Sequence, residues 1–574
     1  MTFLTDIYVI YSDIDLLFIV KLLTPAGVWL GVSVSNSAQS FILVLPAIRN
    51  LNSCTHRNER KNSVKRKNAG MAETGIWWIK RDIRLLDNRA LNEAAKSHRL
   101  ICLYIVEPSM LAAPDFALRH LYAQMQALDV LNSQLHKLGS CVWVSFKEAK
   151  TTFEYLASVF NLQGIYSHQE TGTGRTFRRD KDVAGWCEIQ NIPWVEFRQS
   201  PVSRAGKNYD ESEKVLRFGE PLPGPDSLPL PPAPLPPSGF AHVDELRVRF
   251  GRHFEHITSD TFQPVSESAA WECLESFLNE RGEGYRGGIS SPNSGFSSGS
   301  RLSAHLAWGT VSARQVFNAL EHRRKVFSEK TDPAMSDWKK SLSAFQSRLF
   351  WRDHFMQRFE TAWWMETQSI NSAYEQVRYQ SEPALLDAWM EGKTGFPLVD
   401  ACIRCLNQTG FLNFRMRAMV TNVACFGLHL SWRDIQYPLA RLFYDYEPGI
   451  HFSQIQMQAG IVGINAMRVY SPQKQLIEQD PECRFVKTWC PELAYVQNVQ
   501  ILAGNLKGVY TDPVVNLVSR QREMKNQLYA IKRSTESRAQ SQAVLERFGS
   551  KRNTNRRRPT ARRKQDTSQL SLFN

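Results

Sequence analysis

Arg415 and Arg417 stand within one helical turn, and Asp445 and Glu447 follow further along, just ahead of Pro448-Gly449. Fixed guanidinium and carboxylate groups flanking an irregular Pro-Gly loop between helices are what a buried polar cofactor requires. They supply charges of both signs and backbone groups free to hydrogen-bond it. The element that must position the arginines is legible just upstream, in TGFPLVDACIRCLNQTG. There Leu398, Val399, Ile403 and Leu406 recur at helical spacing, and Asp400 and Arg404 form an i, i+4 pair. Gly395 and Pro397 open this helix and Gly410 closes it.

The block from Thr394 through DYEPGIHF to RVYSP resembles the flavin-binding core of the cryptochrome/photolyase family. The likeness extends in order to GIWWIKRDIRLLDNRAL (Gly75–Leu91), GSRLSAHLAWGTVSARQVF (Gly299–Phe317) and RLFWRDHF (Arg348–Phe355). It spans roughly Gly75 to Leu493 and implies a protein that folds FAD into a U inside a helical domain.

The chain's own patterning gives a matching architecture. From Gly75 to about Ser203, the runs IWWI, LICLYIV, CVWVSF and GIYSH alternate with helical stretches such as RHLYAQMQALDVLNSQLHKLG, which predicts a Rossmann-like parallel α/β domain. PLPGPDSLPLPPAPLPP (Pro221–Pro237) imposes an extended linker. Beyond Pro264 the pattern is helical throughout. The domains expected are thus an extension over residues 1–70, an α/β antenna domain over 71–205, a linker over 206–263, a helical FAD-binding domain over 264–500, and a basic tail over 501–574.

The net charge of +14 lies mostly at the two ends. Ile531–Asn574 carries 12 Lys/Arg against Glu536, Glu546 and Asp566, a balance of +9, and residues 1–70 carry 8 basic and 4 acidic residues, a balance of +4. The body is left near neutrality, so basicity points to a DNA-associating tail. Residues 1–70 match nothing in the family and read as a disordered upstream extension ahead of Met71, from a wrongly assigned start. The stretch Leu22–Ile48 is uncharged, but Pro25, Ser33, Asn36 and Gln39 make it a weak membrane span. With no signal peptide, the expectation is a cytoplasmic, monomeric protein with reduced thiols and no membrane association. Cys402 and Cys405 fall inside the amphipathic helix with no second close pair, so they read as core thiols and no metal site is expected.

The resemblance assigns roles residue by residue. Tyr285, Ser300, Arg301, Leu302 and Ser303 fall where the family holds flavin phosphates and ribityl chain, with Gly299 in place of the usual threonine. Arg352 is the family arginine near the flavin. Arg417 and Asp445 form the salt bridge beside the isoalloxazine, and Glu447 takes the second acidic position. His451 replaces the asparagine that faces flavin N5, and Ile455 replaces the tryptophan that first reduces the flavin. Trp432 keeps the middle of that electron chain, while Tyr379 stands for its outer tryptophan. In the lesion pocket, Trp351 is one aromatic wall, Met457 the opposite one, and Arg348 replaces a glutamate. Phe414 and Ala418 occupy the places of the two (6-4) photolyase histidines. Glu170 lies near a loop that can contact a folate or deazaflavin antenna, or is a solvated loop residue.

The final residues QLSLFN add an independent signal. Gln569, Leu570, Leu572 and Phe573 resemble the motif by which bacterial repair proteins dock on the polymerase sliding clamp. The leading expectation is a light-dependent DNA repair enzyme of the photolyase kind, acting on pyrimidine dimers in damaged DNA. The rival is a cryptochrome-type photoreceptor without repair activity.

Overall fold

The computed structural model describes residues 72–204, 217–234, 236–254, 257, 261–328, 336–464 and 466–548, together with the backbone of three amino-terminal strands. The chain divides into two compact units, Met1–Ala69 and Gly70–Asn574. In the first, β1 (Phe3–Tyr11), β2 (Leu16–Leu23) and β3 (Trp29–Val34) pair antiparallel in that order. The remainder of the expected 1–70 extension lies outside the described residues.

The second unit begins with strands β4 (Thr74–Ile79), β5 (Arg99–Ile105), β6 (Val142–Ser145), β7 (Leu162–His168) and β8 (Trp194–Phe197). They are parallel, in the order β8-β7-β4-β5-β6. Every residue of β4 is buried, as expected of a parallel strand covered on both faces. The short β9 (Phe240–Ala241) adds to the β6 edge antiparallel.

The described part of the proline-rich segment is extended but not free. Leu222 exchanges hydrogen bonds with Asp87, and Leu230 O accepts from Leu100 N at 3.2 Å. Leu228 is buried in the core of the α/β domain.

The helical domain follows. Pro397–Thr409 is the amphipathic helix expected, and Gly410 closes it in the left-handed conformation at φ 66°. Its Asp400–Arg404 pair is not made. Asp400 is fully buried and accepts from Thr394 N and Oγ1, Gly395 N and Tyr510 Oη at 2.6–3.0 Å. Four donors satisfy that carboxyl, so Arg404 turns to Gly392 O and Glu492 instead. Cys402 and Cys405 are buried in the same core, where burial pushes the Cys405 thiol up to about 12.

Across the seam, Arg119 of the α/β domain donates to Leu406 O, Asn407 O and Leu442 O. It thereby satisfies carbonyls that two helix ends leave open. The segment read as a tail from residue 501 begins as packed structure. Helices Leu517–Arg533 and Thr535–Phe548 bury Met524, Leu528, Ile531, Val544 and Phe548 against the helical domain. Among the described residues no helix is long and apolar enough to cross a membrane.

Candidate flavin site

The short helix Phe414–Asn422 is anchored by Asn413, whose amide donates to Ile289 O and Ser290 O at 2.9 Å. From it Arg417 reaches Asp445 with two parallel bonds of 3.0 and 2.8 Å, and its Nε donates to Leu412 O. Burial alone would raise the Asp445 carboxyl. Arg417, the Ser303 hydroxyl and Arg301 outweigh it and hold that carboxyl below its usual range.

Arg301 lies 3.7 Å from the Phe411 ring centroid, and Arg417 lies 4.3 Å from that of Phe443. The two guanidiniums therefore flank Asp445 against an aromatic floor. Arg301 is left-handed at φ 60°, in the turn preceding helix Ser303–Trp308. Gly299 has a steric reason: a Cβ there would meet Gly295 O at 2.4 Å. Threonine at this position would need the turn to move.

Three residues that sequence reasoning missed hold the turn. Arg281 donates to Gly299 O and, at 2.9 Å, to Ser300 O, Cys273 Sγ contacts the same Ser300 O, and Gln263 donates to Arg301 O at 2.8 Å. Their partners are backbone carbonyls, which no side-chain pattern announces. Arg301 Nη1 is buried without a protein acceptor. Such a group is costly alone, and a phosphate or flavin oxygen would satisfy it. The residues present therefore fit FAD: Arg301, Ser303, Arg417 and Asp445 converge as a charged, hydrogen-bonding cradle.

The other expected residues are distributed around this cradle. Arg348 hydrogen-bonds the Tyr285 hydroxyl, which burial raises to about 12. Arg352 donates to Leu306 O. Glu447 does not join Asp445: its carboxyl, raised by burial, faces Arg81 at 3.5 Å, and its Oε1 has no partner. His451 Nε2 donates to Gln436 O at 2.8 Å, and burial lowers its pKa to about 4. It is thus a neutral imidazole with Nδ1 as acceptor.

Trp351 is half-buried, in edge contact with His354 and tilted against Phe355. Met457 packs with the cluster of Phe359, Phe452 and Phe548. Trp432 and Ile455 are buried in the main core. No ring contact links Trp432 to Tyr379 among the described residues, and the Tyr379 hydroxyl is buried without a partner. Gln569, Leu570, Leu572 and Phe573 lie outside the described residues.

Glu170 is largely covered rather than solvated, with its side chain 9% exposed. It accepts from Arg179 at 2.6 Å and lies 3.6 Å from Arg81, and these cations hold it low against the raising effect of burial. It lines a cavity of about 150 Å³ at the carboxyl edge of the sheet, together with Trp78, Tyr104, His120, Trp308 and Tyr446.

A parallel α/β domain followed by a helical domain with this arginine–aspartate cradle defines a flavin-binding protein of two-domain type. The chain matches the DNA photolyase domain over residues 75–217 and the FAD binding domain of DNA photolyase over residues 345–530. It belongs to the cryptochrome/photolyase family and carries that family's FAD-binding domain. A deoxyribodipyrimidine photo-lyase from Synechococcus sp. is 24% identical over 485 residues, covering 80% of this chain and 98% of the relative. A cryptochrome DASH from Natronomonas pharaonis is 26% identical over 451 residues, covering 74% and 91%. The crystal structure of a class III photolyase from Agrobacterium tumefaciens superposes with a TM-score of 0.68 at 21% identity, covering 81% and 98% of the two chains.

Proposed function

We propose that this protein repairs pyrimidine dimers in DNA under blue light. The observation that carries the reading is Trp351, a half-buried indole on the helix that also presents Arg348 and Arg352. An indole left partly open beside guanidinium donors is suited to stack an extruded base pair and hydrogen-bond its carbonyls. Bound reduced FAD would supply the photoexcited electron that splits the dimer. The chain's own residues do the rest. Arg417 and Asp445 orient the ring system, and Arg301 and Ser303 hold polar oxygens. Neutral His451 offers an acceptor at Nδ1 while Nε2 stays committed to Gln436.

The aromatic cavity beside Glu170 is of a kind that takes a planar antenna, a folate or a deazaflavin. A cryptochrome-type photoreceptor is the second reading, favoured by Ile455 and by the packing of Met457 into an apolar cluster. Incubation of the reduced protein with ultraviolet-damaged single- and double-stranded DNA under blue light separates the two. Restored thymines support repair; intact dimers in both substrates reject it.

A further inference from the structure

We propose that Tyr446 is the residue that donates an electron to the photoexcited oxidised flavin, with Asp115 accepting its phenolic proton. The inference rests on the reading that the flavin lies against Asp445 and His451.

Ile455 cannot be oxidised, and among the described residues Trp432 makes no ring contact through which to relay. A different oxidisable ring stands beside the site. Among the rings that contact His451, namely Phe443, Tyr446 and Phe452, only Tyr446 is readily oxidised. Its centroid is 5.4 Å from that of His451 in an edge contact. On the other side it stacks on His120 at 5.5 Å and 15°. The peptide geometry ties it to the cradle directly, because Tyr446 lies between Asp445 and Glu447 in the chain.

Removing an electron from a buried phenol leaves a positive charge in an apolar surround unless the proton also leaves. His120 cannot take that proton. Its Nε2 donates to Phe443 O and its Nδ1 accepts from Ala117 N, so both nitrogens are committed. Asp115 can: Tyr446 Oη donates to its Oδ2 at 2.8 Å. In the step, one electron leaves Tyr446 for the flavin and the phenolic O–H bond breaks. The proton passes to the Asp115 carboxylate, leaving a neutral tyrosyl and a carboxylic acid. Both residues line the cavity of about 150 Å³, so an external one-electron reductant such as a thiol can restore the phenol, with Asp115 returning the proton.

The test uses the full-length, FAD-loaded protein, with flavin content measured first. Oxidised protein is illuminated with and without thiol, flavin absorbance is followed, and samples are freeze-quenched for electron paramagnetic resonance. The expected result is a protein radical whose spectrum narrows when the protein is grown on ring-deuterated tyrosine. Tyr446→Phe should lose both that signal and light-driven flavin reduction, while flavin content and dark reduction by dithionite stay unchanged. Asp115→Asn should slow the light reaction and remove its solvent deuterium isotope effect. Undiminished radical and rate in Tyr446→Phe, or a wild-type signal insensitive to tyrosine deuteration, overturns the proposal. Wild-type protein that binds no flavin overturns the cofactor reading itself, and the relay with it.

Discussion

Arg348 is held by the Tyr285 hydroxyl, so its guanidinium is fixed in place on the helix that also carries Trp351. A positioned guanidinium, a group that only donates, suits dimer carbonyls, which only accept. Arg348→Ala should weaken binding of dimer-containing DNA by about 1.5–3 kcal/mol, the range for a hydrogen bond to a charged group. Binding of undamaged DNA and its salt slope should hardly move, because the contact is to a base and not a phosphate. Titration of matched damaged and undamaged oligonucleotides checks this. Equal losses on both would remove Arg348 from the lesion pocket.

Asp445→Ala strips Arg417 of both its carboxylate bonds and leaves Arg301 beside an uncompensated cation. Asp445 is 5% exposed at its side chain and Arg417 24%. The partly open arginine places the cost near the lower end for a broken buried pair, on the order of 3 kcal/mol. Flavin content after purification should fall, with Asp445→Asn retaining more than alanine. Full flavin in the alanine variant would place the cofactor elsewhere.

Trp432→Phe should change light-driven flavin reduction little. The indole is 1% exposed in the apolar core that also buries Ile455, and among the described residues no ring contact links it to Tyr379. A large loss of rate would restore the tryptophan route and displace Tyr446.

Acid should destabilise the fold through its buried histidines. His120, His305 and His451 are pushed by burial from an ordinary 6.5 to about 3, 4 and 4. As pH falls through 6.5 the unfolded chain takes up these protons and the folded chain does not. Stability is therefore lost progressively between pH 6.5 and about 4, by up to ~1.4 kcal/mol per pH unit for each histidine. Buried carboxyls pushed up, such as Asp353 and Glu447, act in the opposite sense. Urea midpoints of wild type and His305→Gln across this window isolate one proton's share. Parallel curves for the two proteins would mean that His305 titrates normally in the fold.

The α/β domain was legible because its parallel strands are continuous apolar runs that read the same in sequence and structure. The helix Pro397–Thr409 was legible because its glycine and proline punctuation is local. What escaped depends on distance and on backbone partners. Arg281 and Gln263 act on carbonyls of the 299–301 turn, and Asp115 meets Tyr446 from the other domain. The pair Asp400–Arg404 looked sound by spacing, but a loop with unsatisfied donors competed for the same carboxylate. Helix Leu517–Arg533 reads as tail in the sequence because its charges hide a stripe of Met524, Leu528 and Ile531.

Helix Thr535–Phe548 is the last described element, and Gln569–Phe573 lies outside the described residues. If Gln569–Phe573 docks on a sliding clamp, deleting the last six residues should abolish clamp binding and leave flavin content untouched. The contact would rest on Leu570, Leu572 and Phe573 filling a preformed groove, an apolar interaction that salt weakens little. The basic run Lys551–Lys564 should act separately on DNA, because its guanidinium groups displace counterions from phosphate. Raising salt should therefore strip DNA long before it strips the clamp. Calorimetry of a tail peptide against a bacterial clamp, with Leu572→Ala and Phe573→Ala as controls, separates the two contributions. Binding that survives both substitutions, or none at all with the native peptide, would reduce QLSLF to coincidence and withdraw one support for repair over signalling.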